Sequence, residues 1–145
     1  MKPAASVVLA LVLVATAGVA AVRHKESLAA TEATEVLDLV YVKHDFAKAH
    51  ARLHPELRTL SPDDLSKLAS VVEFRLGPTK KFEIDSFVAA PEEKQLTVFV
   101  NGVNEKGTAY HRVMLIGDAA GYKVARLSVQ SAPYPADKER QSFKK

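Results

Sequence analysis

SPDDLSKLASVVEFRLGPTKKFEID, residues 61 to 85, holds the change of hydrophobic period that decides the fold. Ser61 stands where a helix N-cap belongs, Pro62 at the first helical position, and Asp63 and Asp64 in the first turn, where carboxylates complement the helix dipole. Leu65, Leu68, Ala69, Val72 and Leu76 then recur at i, i+3, i+4, i+7 and i+11 as one apolar stripe, which Gly77-Pro78 terminates. From Lys80 the period is two, with Phe82, Ile84 and Val88 set against Lys81, Glu83 and Asp85. Helix gives way to strand.

Downstream, Leu96, Val98 and Val100 alternate with Thr97, Phe99 and Asn101. Breaks at Ala90-Pro91-Glu92-Glu93, Asn104-Glu105-Lys106-Gly107 and Gly117-Asp118-Ala119-Ala120-Gly121 are short and turn-like. Four strands in an antiparallel meander follow, the third over about residues 108–116 and the fourth over about 122–130. Upstream, Leu28 to Leu53 reads as helix with a break near His44, since Asp45 suits a second N-cap and Pro55 a stop. The meander needs a cover on one face, and these three helices are the apolar cover available. The expected fold class is α+β, with N-terminal helices packed on a four-stranded antiparallel meander sheet and the domain running over 24–135.

The chain ends differ from this body. Ala4 to Val22 is nineteen residues without a charge, between Lys2 and the Arg23-His24-Lys25 cluster. Segment 1–23 is therefore expected to be a signal peptide, with Ala15-Thr16-Ala17 or Val19-Ala20-Ala21 as cleavage site, or an N-terminal membrane anchor. Either reading makes the protein exported, periplasmic or extracellular, or held at the cell membrane by residues 4–22; a cytoplasm-facing anchor is a third possibility. After Pro133 and Pro135, residues 136–145 are mostly charged and are expected to be a solvated, disordered tail.

Composition closes several function classes. Of 145 residues none is cysteine, which excludes disulfide scaffolds, zinc-thiolate sites and thiol nucleophiles. No G-x-G, P-loop or G-x-S-x-G pattern occurs. The net charge of +3 sits at the ends, because residues 1–23 hold Lys2 and Arg23 with no acid, and 137–145 hold four basic and two acidic residues. Residues 24–136 net −1, so no nucleic-acid partner is expected. His50 and His54 are spaced i, i+4 but lack a third ligand, and neither a metal nor a cofactor is expected.

The order of elements, with Lys43-His44-Asp45-Phe46-Ala47-Lys48-Ala49-His50-Ala51-Arg52-Leu53 at the helix break, resembles the NTF2-like superfamily. His54-Pro55-Glu56-Leu57-Arg58 before the Ser61 helix start, and Gly121-Tyr122-Lys123-Val124 at the last strand, are similar to segments of its exported members. The resemblance, over about residues 30–130, implies a cone-shaped domain in which a curved sheet wraps around helices and leaves a pocket. It implies no single reaction, since the fold carries isomerases, dehydratases, hydrolases and binding modules.

Strand parity then nominates a site. Ser86 falls inward with Phe82 and Ile84, and His111 falls inward with Ala109, Val113 and Leu115. Tyr41 in the first helix is placed to reach the same space. Tyr41, Ser86 and His111 are thus the pocket candidates, either as a satisfied polar cluster, as a binding site or as a proton-transfer site. No confident catalytic residue emerges, because Glu83 and Asp85 take the polar parity. Phe99, Tyr110, Arg112 and Arg126, with Val124, are expected on the opposite face as a possible homodimer or partner surface. The favoured function is a non-enzymatic binding or protein-interaction module for a small apolar ligand or an envelope protein; the alternative is a small-molecule enzyme of isomerase, dehydratase or hydrolase type using a His/Tyr pocket.

Overall fold

The structure, a computed structural model, describes residues 27–90, 94–118, 121–135 and 141–142. The expected signal or anchor segment and most of the charged tail lie outside the described residues. Helix α1 covers 27–41, α2 Phe46–Ala51 and α3 Pro62–Leu76, with a 3-10 turn at Pro55–Leu57. Strands β1 (Thr79–Ala90), β2 (Gln95–Asn104), β3 (Gly107–Asp118) and β4 (Gly121–Gln130) form an antiparallel meander. The fold is α+β, with the helices on one face of the curved sheet.

Each helix boundary has a local cause. His44 takes a left-handed φ of 53°, which breaks the chain direction between α1 and α2. Asp45 caps α2 by accepting from the Lys48 N–H at 3.2 Å. At α3, Ser61 and Asp64 close a reciprocal capping box: Ser61 Oγ accepts from Asp64 N, and Asp64 Oδ2 accepts from Ser61 N at 2.8 Å. These bonds hold the Asp64 carboxyl below its ordinary pKa. Ser61→Ala removes one arm of the box and is expected to cost about 1 kcal/mol, read from urea midpoints at neutral pH. Gly77 ends α3 at φ 77°, a conformation glycine adopts without penalty.

The core joins the helices to the sheet. Ala33, Val36, Leu37, Val40 and Tyr41 of α1, with Leu65, Ala69 and Val72 of α3, pack with Leu96, Val98, Val100, Ala109, Val113 and Leu115. Arg52 ties the short α2 back to α1 through Glu32, at 3.1 Å from Nε, and Glu35. The β2–β3 turn docks on the end of α3, where Lys106 N donates to Leu76 O and Glu105 N to Pro78 O.

Besides a register shift between Thr79 and Lys81, irregularities at two places nearer the site correct the strict alternation. Ile84 pairs with Val100 and Ser86 with Phe99, which leaves Asp85 as an extra residue in a β-bulge. Beyond it Phe87, paired with Val98, takes the core side, while Ser86 and Val88 take the outer side. In β4 another register shift sets Arg126 opposite Met114 and Val124 opposite Leu115. Val124 is therefore fully buried in the core and does not share the outer face with Arg126.

A fifth strand also differs from expectation. Gln141–Ser142, inside the segment expected to be a disordered tail, forms β5 against Ser86 and Phe87, giving the sheet order β4-β3-β2-β1-β5. The chain thus passes from one sheet edge to the other after β4. Tyr134 lies over the outer face on the way, its ring 5.7 Å from that of Phe99 and 4.9 Å from the Arg112 guanidinium carbon.

Candidate functional site

His111 is carried by β3 between Val100 of β2 and Val129 of β4, so its ring projects from the middle of the inner face. It is 1% exposed. Tyr41, on the last turn of α1, meets it with ring centroids 4.8 Å apart, and Phe82 of β1 approaches both rings, at 5.7 Å from His111 and 6.5 Å from Tyr41. Tyr41 and His111 are thus brought together. Ser86 is not part of the group: the bulge at Asp85 turns it to the outer face, where its hydroxyl donates to Asp85 Oδ2 at 2.8 Å.

Burial sets the electrostatics. Desolvation disfavours the imidazolium and brings the His111 pKa down to about 4, and it pushes the Tyr41 phenol upward. Both side chains are therefore neutral at physiological pH. His111 Nε2 has no hydrogen-bond partner among the described residues. Neither does Oδ1 of Asn104, a buried amide whose Nδ2 donates to Gly77 O at 2.8 Å. Gly102 sits between them: a Cβ on it would stand 3.1 Å from His111 Nε2 and 3.2 Å from Asn104 Oδ1.

Asn104, Gly102 and Phe82 escaped the sequence reading as site residues. Asn104 opens the turn-like Asn104-Glu105-Lys106-Gly107 break, yet it continues the parity of Val98, Val100 and Gly102, the signal in the sequence that points to it. Strand parity places Phe82 on the inner face, where it reads only as core.

The outer-face candidates divide. Phe99 is 8% exposed and Arg112 stacks on Tyr134, so the chain itself covers this part of the sheet. Tyr110 is half-buried and Arg126 exposed on the same side. Tyr134→Ala uncovers Phe99; the expected outcome is a loss of about 1–2 kcal/mol in denaturant titration together with stronger binding of an apolar fluorescent dye.

His50 and His54 have separate tasks. His50 Nε2 lies 3.1 Å from Arg58 O, and His54 Nδ1 accepts from Glu56 N to cap the 3-10 turn. Among the described residues no group of three or more His, Asp or Glu side chains could hold a metal ion, and no helix is long and apolar enough to cross a membrane. Comparison with protein-family models, curated proteins and solved structures gave no match.

Proposed function

We propose that the chain is an exported or membrane-anchored domain of NTF2-like type, acting as a non-enzymatic binding module through the inner-face surface of Tyr41, Phe82 and His111. The observation that carries the binding reading is the unpartnered Nε2 of His111, a buried neutral nitrogen beside two aromatic rings. An orphaned polar atom in an apolar surround suits a ligand's polar group. Catalysis is less well supported. A general base works best with a pKa near the operating pH, whereas burial holds this imidazole near 4 and no carboxylate meets its Nε2 among the described residues. The NTF2-like assignment rests on the order of helix, break, helix, helix and curved meander; export rests on the uncharged stretch 4–22.

Two measurements test this reading. Native mass spectrometry after mild purification is expected to show co-purifying apolar small molecules, depleted in His111→Ala at unchanged circular dichroism. A ligand-free wild type, or substrate turnover depending on His111, favours the enzyme or a purely structural role. Fusion of alkaline phosphatase to the C-terminus is expected to be active in a bacterial host; an inactive fusion of normal abundance contradicts export.

A further inference from the structure

We propose that His111 Nε2 and Asn104 Oδ1 together bind one neutral hydroxyl group of an otherwise apolar ligand, beside the side-chain-free Gly102 and against the rings of Tyr41 and Phe82. The inference rests on the binding reading above and adds the chemical class of the ligand.

The pattern of donors and acceptors selects that class. Asn104 spends its amide N–H on Gly77 O at 2.8 Å, which fixes the amide orientation and leaves Oδ1 as a pure acceptor. His111, neutral, can present Nε2 as donor or acceptor. A group placed between them donates to Oδ1 and, with the proton of His111 on Nε2, accepts from that N–H. A hydroxyl does both. A ketone has no proton for Asn104. A carboxylate meets the Oδ1 lone pairs with its own, and either a carboxylate or an ammonium would be buried against a neutral imidazole and a neutral amide that cannot compensate its charge.

The absence of a side chain at Gly102 is part of the site. Gly102 pairs with Phe82 on one side and Ala109 on the other, in the middle of the sheet, where most residues would present a Cβ. One added carbon would stand against both polar atoms. Phe82, the cross-strand partner of Gly102, is only half-buried, so this side of the group meets solvent.

The test uses the full chain, labelled with 15N, and three soluble probes of equal size: cyclohexanol, cyclohexanone and cyclohexanecarboxylate. The readout is the His111 Nε2 resonance. Cyclohexanol is expected to shift it saturably and to bind about tenfold or more tightly than either other probe, the difference made by one unsatisfied buried acceptor. Gly102→Ala is expected to abolish the shift; should that variant not fold, the wild-type ranking decides alone. Equal affinity for cyclohexanol and cyclohexanone, or preference for the carboxylate, overturns the hydroxyl assignment and leaves the binding reading standing. Absence of a saturable response to every probe overturns both.

Discussion

Phe87→Ala is expected to destabilise the protein by about 3–5 kcal/mol, while Val88→Ala, one position on, costs about 1 kcal/mol or less. Strict alternation from Ile84 gives the reverse order, since it sends Val88 inward and Phe87 outward. The bulge at Asp85 decides between them: it sets Phe87 opposite Val98 in the core at 3% exposure and leaves Val88 opposite Thr97. Phenylalanine truncation at a closely packed site loses both transfer free energy and the contacts lining the new void. Urea unfolding of the two variants, compared at a common slope, measures the difference. A larger effect at Val88 would show that β1 runs without its bulge.

The second large effect is a pH dependence. His111 titrates near 4 when folded and near its ordinary 6.5 when unfolded, because burial disfavours the charged ring. Above pH 6.5 both states are neutral and the stability is fully present. As pH falls from 6.5 toward 4 the unfolded chain takes up a proton that the folded chain refuses, so stability declines through that window by about 3 kcal/mol. Below about 4 both states hold the proton and this contribution is exhausted. His111→Leu removes the group and the unpartnered Nε2 with it; it is expected to stay within about 1 kcal/mol of wild type at pH 7 and to lose most of the slope between pH 6.5 and 4. The other histidines stay in place, so the difference between the two curves isolates residue 111. Parallel curves would show that this side chain gains access to water.

The helices were legible because their signals are local. Ser61, Pro62 and Gly77 mark the ends of α3 through backbone chemistry within a few residues, and Asp45 marks α2 in the same way. Period two likewise located the four long strands, and the parity of Ala109, Val113 and Leu115 placed His111 correctly on the inner face. What failed was the carrying of parity across an inserted residue. Asp85 looks like any polar strand residue, yet as the extra residue of a bulge it exchanges the faces of everything after it and takes Ser86 away from Tyr41 and His111. The shift between Arg126 and Val124 did the same for Val124. A bulge is set by pairing with a neighbouring strand, so no single-strand pattern announces it.

β5 was hidden for a related reason. Gln141 and Ser142 carry no hydrophobic pattern, and they are held by backbone pairing to the free edge of β1. Tyr134 was legible only as part of a proline-rich ending, although it supplies the cover for Phe99 that the outer face needed. That cover bears on the partner reading: the most apolar of the interface candidates is occupied by the chain's own segment, and a partner approaching this face meets Tyr110, Arg126 and the Arg112–Tyr134 stack first.

Binding at the inner face and the pH dependence both require a neutral imidazole enclosed against Tyr41 and Phe82. Its titration, followed by the ring 15N shifts of His111 from pH 8 to pH 3.5, addresses that requirement directly. The expected curve is flat through pH 6 and bends only toward pH 4. A midpoint near 6.5, the value of a solvated histidine, would contradict the enclosed site on which the functional proposal stands.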